Sequence, residues 1–225
     1  MLDTIWDDTT LWDDNTYWRE VTNYTFPENI GFESFRLTPE SRNARSVSPF
    51  TFGEQILSYA GQRWIADVSL PRLRRDEADG WRAFFTKLNG IQNTFFLGDP
   101  LSKQPKGVVG GVPVLDSANQ KGELLSIRGC TPDVVGWLKS GDYIQLGTDE
   151  TDTRLHMVLD DVNTDSSGKA DLRIWPNNIL DRPNGDTVIT SNAVGVFRLR
   201  NGNVMFETDS DSYTRIFFSC VSVVL

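Results

Sequence analysis

"QRWIADVSLPRLRRDEADGWRAFFTKLNGIQNTFFLGDP" runs from Gln62 to Pro100, and its periods decide how the rest of the chain is read. Trp64, Ala66, Val68 and Leu70 alternate with Ile65, Asp67 and Ser69, the period of a strand, which Pro71 ends. Asp76 and Glu77 stand where first-turn carboxylates complement the positive end of a helix. Ala78, Trp81, Phe84, Phe85 and Leu88 follow at three- and four-residue steps, one face of that helix. Gly90 suits a left-handed stop, and "NTFFLGDP" reads as a second short strand closed by Asp99-Pro100. The unit is strand, helix, strand, with the helix lying on a sheet.

Upstream, "TPESRNARSVSPFTFGEQ" reads as loop closing into a short strand around Phe50 and Phe52. Downstream, Leu101 to Gly111 is a Lys/Pro/Gly-rich connector and a domain boundary. Short strands at about ten-residue spacing follow near Leu124–Arg128, Tyr143–Leu146, Leu155–Val162, Ala170–Trp175 and Thr187–Thr190, the pattern of a small barrel or sandwich. After Asn192 the sequence predicts a hairpin around Asn201-Gly202-Asn203 and a last strand of about twelve residues. Both faces of that strand are apolar near Phe217, which makes it central in a sheet.

The 225 residues suffice for one large or two small domains, and the aromatic, Gly and Pro content favours β structure. A net charge of −9 disfavours non-specific binding to nucleic acid or anionic membranes. The tight basic cluster Arg72, Arg74 and Arg75 reads as local to the helix start. Cys130, Cys220 and the single His156 fall short of the usual zinc and iron–sulfur ligand sets, so no metal and no cofactor is expected. Met1-Leu2-Asp3 has no basic or apolar leader character, and no stretch approaches the ~20 apolar residues of a membrane span, so a soluble cytoplasmic product is expected.

"TIWDDTTLWDDNTYW", Thr4 to Trp18, places Trp6, Trp12 and Trp18 six residues apart. Six is a multiple of two, so an extended strand would put all three rings on one face. On a helix the same spacing advances about 600° and spreads them around the axis. The neighbouring Asp7-Asp8 and Asp13-Asp14 could serve a sugar site, but adjacent strand residues point to opposite faces and do not converge on one bond. Asp161 to Asp165 begins like a calcium loop, then departs with Ser166 and Leu172 where Gly and Glu are needed, so a solvated hairpin is expected. His156 alternates with apolar neighbours and reads as structural. No nucleophile elbow, P-loop or dinucleotide fingerprint occurs, and no catalytic residue is assigned.

The Phe52-Gly53-Glu54 turn, the long strand, the Arg75-x-Glu77-Ala78 helix start after Pro71, the Trp/Phe-rich helix and the closing Gly98-Asp99-Pro100 resemble the belt-forming domain of distal tail proteins from long-tailed bacteriophages. Short minor tail proteins of lambdoid phages share that texture. "GVFRLRNGNVMFETDSDSYTRIFFSCVSVVL" resembles the closing strands of the same domain, and the stretch between is similar to the β-barrel that larger members carry outside the ring. The resemblance implies an α+β, mostly β fold. Residues 1–104 and 193–225 would form the belt, with an arm at 1–20, and 105–192 an inserted barrel of OB-like or galectin-like type.

The resemblance further implies a non-enzymatic virion component in the tail tip or baseplate, assembled in the host cytoplasm. It would form a hexameric ring joining tail tube protein to tail hub protein, with DNA passing through unheld. Trp6, Trp12 and Trp18, with Trp81, Phe84 and Phe85, are the candidate subunit-contact residues. The alternative is a carbohydrate- or receptor-binding tail protein acting in host attachment, for which a glycan receptor would be the ligand. If deleting residues 1–20 unfolded the protein, the three tryptophans would be plain core residues.

Overall fold

The computed structural model describes residues 21–27 and 31–223. Trp6, Trp12, Trp18 and the aspartate pairs between them lie outside those residues. The fold is α+β and mostly β, with one helix and two six-stranded sheets among the described residues.

The first sheet contains β1 (Asn23–Tyr24), β2 (Ser34–Val47), β3 (Glu54–Ser69), β4 (Thr94–Leu97), β11 (Gly195–Thr208) and β12 (Thr214–Ser222). Its order is β1-β4-β11-β12-β3-β2, antiparallel except for the β1/β4 pair. The central place of β12 agrees with its apolar faces. Helix α1 (Arg75–Lys87) lies on this sheet. Its first turn carries Asp76 and Glu77, and the Glu77 carboxylate accepts the Arg74 N–H at 2.9 Å. Asn89 and Gly90, with φ of 49° and 69°, end it in left-handed conformation.

Trp81, Phe84, Phe85 and Leu88 pack from the helix onto Val68, Phe95, Phe197, Ile216, Phe218 and Cys220. Each Å2 of apolar surface this aromatic layer removes from water stabilises the unit by roughly 25 cal/mol.

Two sequence expectations need correction here. Thr38 to Gln55 is not loop: β2 and β3 form one long hairpin, paired from Ser34↔Ser69 to Val47↔Glu54 with a register shift between Ser41 and Asn43. Its outer half has both faces in solvent, so no alternation marks it in the sequence, and the backbone ladder alone defines it. Phe50 and Phe52 sit in its turn, outside the strands. Nor does the chain reverse at Asn201-Gly202-Asn203. β11 runs through those residues with an irregularity between Leu199 and Val204, where Gly202 takes φ 69°. The reversal comes at Asp209–Tyr213, where the Asp209 carboxylate accepts the Asp211 and Tyr213 N–H groups at 3.1 and 3.0 Å.

The second sheet contains β5 (Gly111–Leu115), β6 (Gly122–Cys130), β7 (Tyr143–Leu146), β8 (Arg154–Val158), β9 (Ala170–Asn178) and β10 (Val188–Ile189), in the order β10-β7-β8-β9-β6-β5. A bridge between Val114 and Thr187 brings its two edges together, so the sheet is a nearly closed barrel. Leu115, Leu125, Ile127, Trp137, Ile144 and Leu172 fill the interior. β5 was not foreseen: only five residues long, it is split between exposed and buried positions.

The barrel residues lie between β4 and β11 in sequence, yet those strands pair directly, with Gly195 opposite Leu97. At this doorway Gly98 is required, because a Cβ there would stand 2.2 Å from the Ala193 carbonyl oxygen. The two sheets meet at Trp64 of β3. Its Nε1–H donates to the Leu155 carbonyl at 3.0 Å, and its ring meets Trp175 edge-on with centroids 4.4 Å apart. Cys220 is buried in the first core and Cys130 in the second, both as free thiols. Burial pushes the Cys130 thiol up to about 11 and the Cys220 thiol higher still, which leaves both protonated and unreactive.

Candidate assembly interface

Beyond Ser41 and Gln62 the β2–β3 hairpin continues as a free two-stranded ribbon. β12 pairs with β3 only from Ile65 to Ser69, and no described strand pairs with the outer edge of β2. The ribbon carries large apolar side chains into solvent: Val47, Ile56, Leu57 and Tyr59 are 42–66% exposed, and Phe50 and Phe52 at the tip are 92% and 80% exposed. Directly paired residues share a face. Leu57 opposite Ala44, with Tyr59 two positions on, makes one apolar face, while on the other Ile56 and Val47 lie beside Arg45 and Glu54. An ion pair between Arg45 and Glu54 links the strands near the tip.

The tip has a defined conformation. Ser48 N–H donates to Gly53 O at 2.9 Å, and Phe52 N–H donates to Ser48 O at 3.0 Å. Phe52 is held at φ 56°, a left-handed conformation that bulky L-residues rarely adopt, with its side chain in solvent. A two-stranded ribbon is marginal in water by itself, and contiguous exposed apolar surface marks contact sites. Apolar faces, unpaired edges and an aromatic tip suit strand addition and aromatic anchoring on another protein.

The residues singled out in the sequence are dispersed. Trp81, Phe84 and Phe85, expected at subunit contacts, are 1%, 5% and 5% exposed and pack inside their own protomer. An apolar helix face seeks the nearest cover, and here its own sheet supplies it. Phe26 completes that layer, 5.3 Å from the ring centroids of Trp81, Phe84 and Phe95.

Arg72 pairs with Asp209 and lies over the Tyr213 ring at 5.0 Å, a local role. Asp165 turns its carboxylate back on its own hairpin, accepting the Ser167 and Lys169 N–H groups at 2.8 Å each. Asp161 pairs with Lys139 at 2.8 Å, and that ammonium, with the Ser140 N–H, holds its carboxyl below the usual range. The sequence reading did not single out Phe50 and Phe52 as an exposed aromatic tip. The signal was two phenylalanines between Pro49 and Gly53, in a polar stretch without any core period.

His156 on β8 is buried, and its Nδ1–H donates to the Pro176 carbonyl at 2.6 Å. Burial lowers its pKa from 6.5 to about 4, with Arg182 and Arg154 pushing the same way against the Pro176 hydrogen bond. The ring is neutral in the fold and would protonate on unfolding below pH ~6.5. Its contribution to stability is therefore complete above that pH and is lost as pH falls towards about 4. That gap corresponds to about 3 kcal/mol. Urea midpoints measured from pH 7 to pH 4 should fall steeply, and the His156→Gln variant should show a flatter profile. Equal slopes would remove His156 from the acid response.

No known family profile matches the chain, and no curated protein is similar enough to count as a match. What points to function is the ribbon, together with the texture of Phe52 to Pro100.

Proposed function

We propose that this chain is a non-enzymatic structural protein of a bacteriophage virion, a distal tail protein whose first sheet and helix build a hexameric ring at the end of the tail tube. In this role it joins tail tube protein to tail hub protein at the tail tip, and the barrel faces outward. The projecting ribbon carries the reading, because its apolar side chains and Phe50–Phe52 tip are left uncovered by the protomer's own described residues. A ribbon on one copy meeting a different surface on the next is a head-to-tail contact, and such contacts close into rings when the rotation permits. The resemblance of the strand–helix–strand unit supplies the phage context. A net charge of −9 suits a bore through which DNA passes without being held.

Native mass by light scattering across a concentration range tests the reading. The expected species has the mass of six chains and an annular outline in electron micrographs. A monomer at every concentration that also ignores added tube and hub proteins would sink it.

A further inference from the structure

Successive residues of a strand point to opposite sides of the sheet. In the first sheet Leu37, Trp64, Ala66, Val68, Leu199 and Phe218 turn towards the helix and its core, so the residues between them form an outer face. By this alternation Arg36 of β2, Arg63 of β3, Arg198 of β11 and Arg215 of β12 stand on that face, on strands that pair side by side. Arg42 and Arg200 join them where the strands run irregular. Arg42 lines a depression of about 360 Å3 with Glu40, Arg63 and Arg198, and Arg200 comes near enough to act on the Glu40 carboxyl.

Three carboxylates share the face. Glu40 pairs with Arg63, whose hydrogen bond, with Arg42 and Arg200 nearby, holds the carboxyl below its usual range. Asp67 accepts the Ser219 hydroxyl at 2.6 Å, and Glu207 lies opposite Arg215 in the ladder. Six arginines against three carboxylates give the face a charge of +3 on a chain of −9. Among the described residues Arg36, Arg42, Arg198, Arg200 and Arg215 have no carboxylate within 4.0 Å, whereas Arg45, Arg72, Arg82, Arg128, Arg173 and Arg182 each pair with one.

We infer that this face docks an acidic surface of a second, separately folded protein. Planar guanidinium forks match carboxylates with paired hydrogen bonds, and five of them are without a carboxylate here. A nucleic-acid duplex carries a negative charge roughly every 1.7 Å, so Glu40, Asp67 and Glu207 would repel its backbone, whereas a protein surface can set a cation opposite each. The face is charged, while the ribbon displays large apolar side chains. Apolar contacts suit copies that stay together, and charge-rich ones suit partners that also exist apart in water. Copies would therefore meet through the ribbon, which leaves the arginine face to a different protein. The inference goes beyond the ring reading and does not need it.

The test is fluorescence anisotropy of a labelled acidic peptide, about twenty residues of alternating Glu and Ser, titrated with the full-length protein at about 0.05 M salt. The parent is expected to bind it, and to lose it as salt rises to about 0.5 M. A face variant carries Arg36→Glu, Arg42→Glu and Arg200→Glu, all at exposed positions, and should bind about tenfold or more weakly. A control carrying Arg75→Glu, Lys103→Glu and Lys106→Glu changes the net charge equally at exposed positions off the face, and should bind as the parent does. Should the face variant's circular dichroism depart from the parent's, Gln at the same three positions replaces Glu, removing the charges without reversing them.

A parent that ignores the peptide overturns the inference. So do face and control variants that weaken alike, because net charge and not this face would then explain binding. A DNA duplex of about twenty base pairs bound as tightly as the peptide at equal salt would overturn it in favour of nucleic acid. Tighter peptide binding by the full-length variant Asp7→Asn, Asp8→Asn, Asp13→Asn and Asp14→Asn would overturn it in favour of the chain's own amino-terminal carboxylates. Loss of self-association in the face variant would make the face a contact between copies, which overturns the second protein. The ring reading is judged by native mass, so the failure of one is read apart from the failure of the other.

Discussion

The full-length protein carrying Phe50→Ser and Phe52→Ser is expected to keep its melting temperature and lose the ring. Both side chains are almost fully in solvent in the protomer, so their removal costs the fold nothing. As aromatic anchors each would contribute about 2 kcal/mol or more per contact, and the pair together would weaken association by about a thousandfold. Sedimentation should find monomer at concentrations where the parent is assembled, with unchanged circular dichroism. Phe52→Gly sharpens the result: glycine accepts the left-handed backbone that Phe52 endures, so this monomer should be at least as stable as the parent while assembling less well. Assembly of the double variant at parental strength would show that the ribbon is not the contact.

Trp64→Ala is expected to be the most damaging single change to the fold. Trp64 is 2% exposed and stands between the two cores, against Trp175, Tyr143 and Leu155. Truncating a buried Trp costs about 3–5 kcal/mol, through lost burial and the cavity left behind. The Leu155 carbonyl also loses its partner. Trp64→Phe keeps most of the packing and loses the hydrogen bond, so a cost of about 1–2 kcal/mol is expected for it. Urea unfolding followed by fluorescence separates the two. A loss below about 1 kcal/mol for the alanine variant would mean that the barrel and the first sheet do not depend on this ring.

The fold was legible where one residue's environment repeats at a fixed step. The helix announced itself through Ala78, Trp81, Phe84, Phe85 and Leu88, because a one-sided core imposes a helical period on the sequence. Tyr143–Leu146 was read with its observed ends, because the Gly141 turn and the barrel interior punctuate it from both sides. The ribbon was illegible for the opposite reason: with both faces wet, nothing selects an alternating pattern, and its strands follow from pairing between distant residues. At Asn201-Gly202-Asn203 a strong local turn signal lost to pairing with β12.

The proposed contact surface was half legible. Sequence identified aromatic residues as anchors but could not tell whether Trp81, Phe84 and Phe85 would find cover at home, since an apolar stripe has the same period whichever surface it meets. Phe50 and Phe52 follow from the three-dimensional fact that no third strand reaches the end of the hairpin.

The doorway between β4 and β11 has a consequence for how such a chain changes over generations. Leu97 and Gly195 are ladder partners, so everything from Gly98 to Val194 leaves and re-enters the first sheet within one strand spacing. That whole stretch could be gained, shed or swapped at a single junction with the β4–β11 ladder kept, at the cost of the bonds from Val196 N–H to Thr153 O and from Trp64 Nε1–H to Leu155 O. The conditions on a newcomer are few: closely spaced ends beside Gly98, and a carbonyl and an apolar wall offered to Trp64. The junction thus makes decoration and scaffold separable in principle, since the ladder between β4 and β11 closes without the stretch between them.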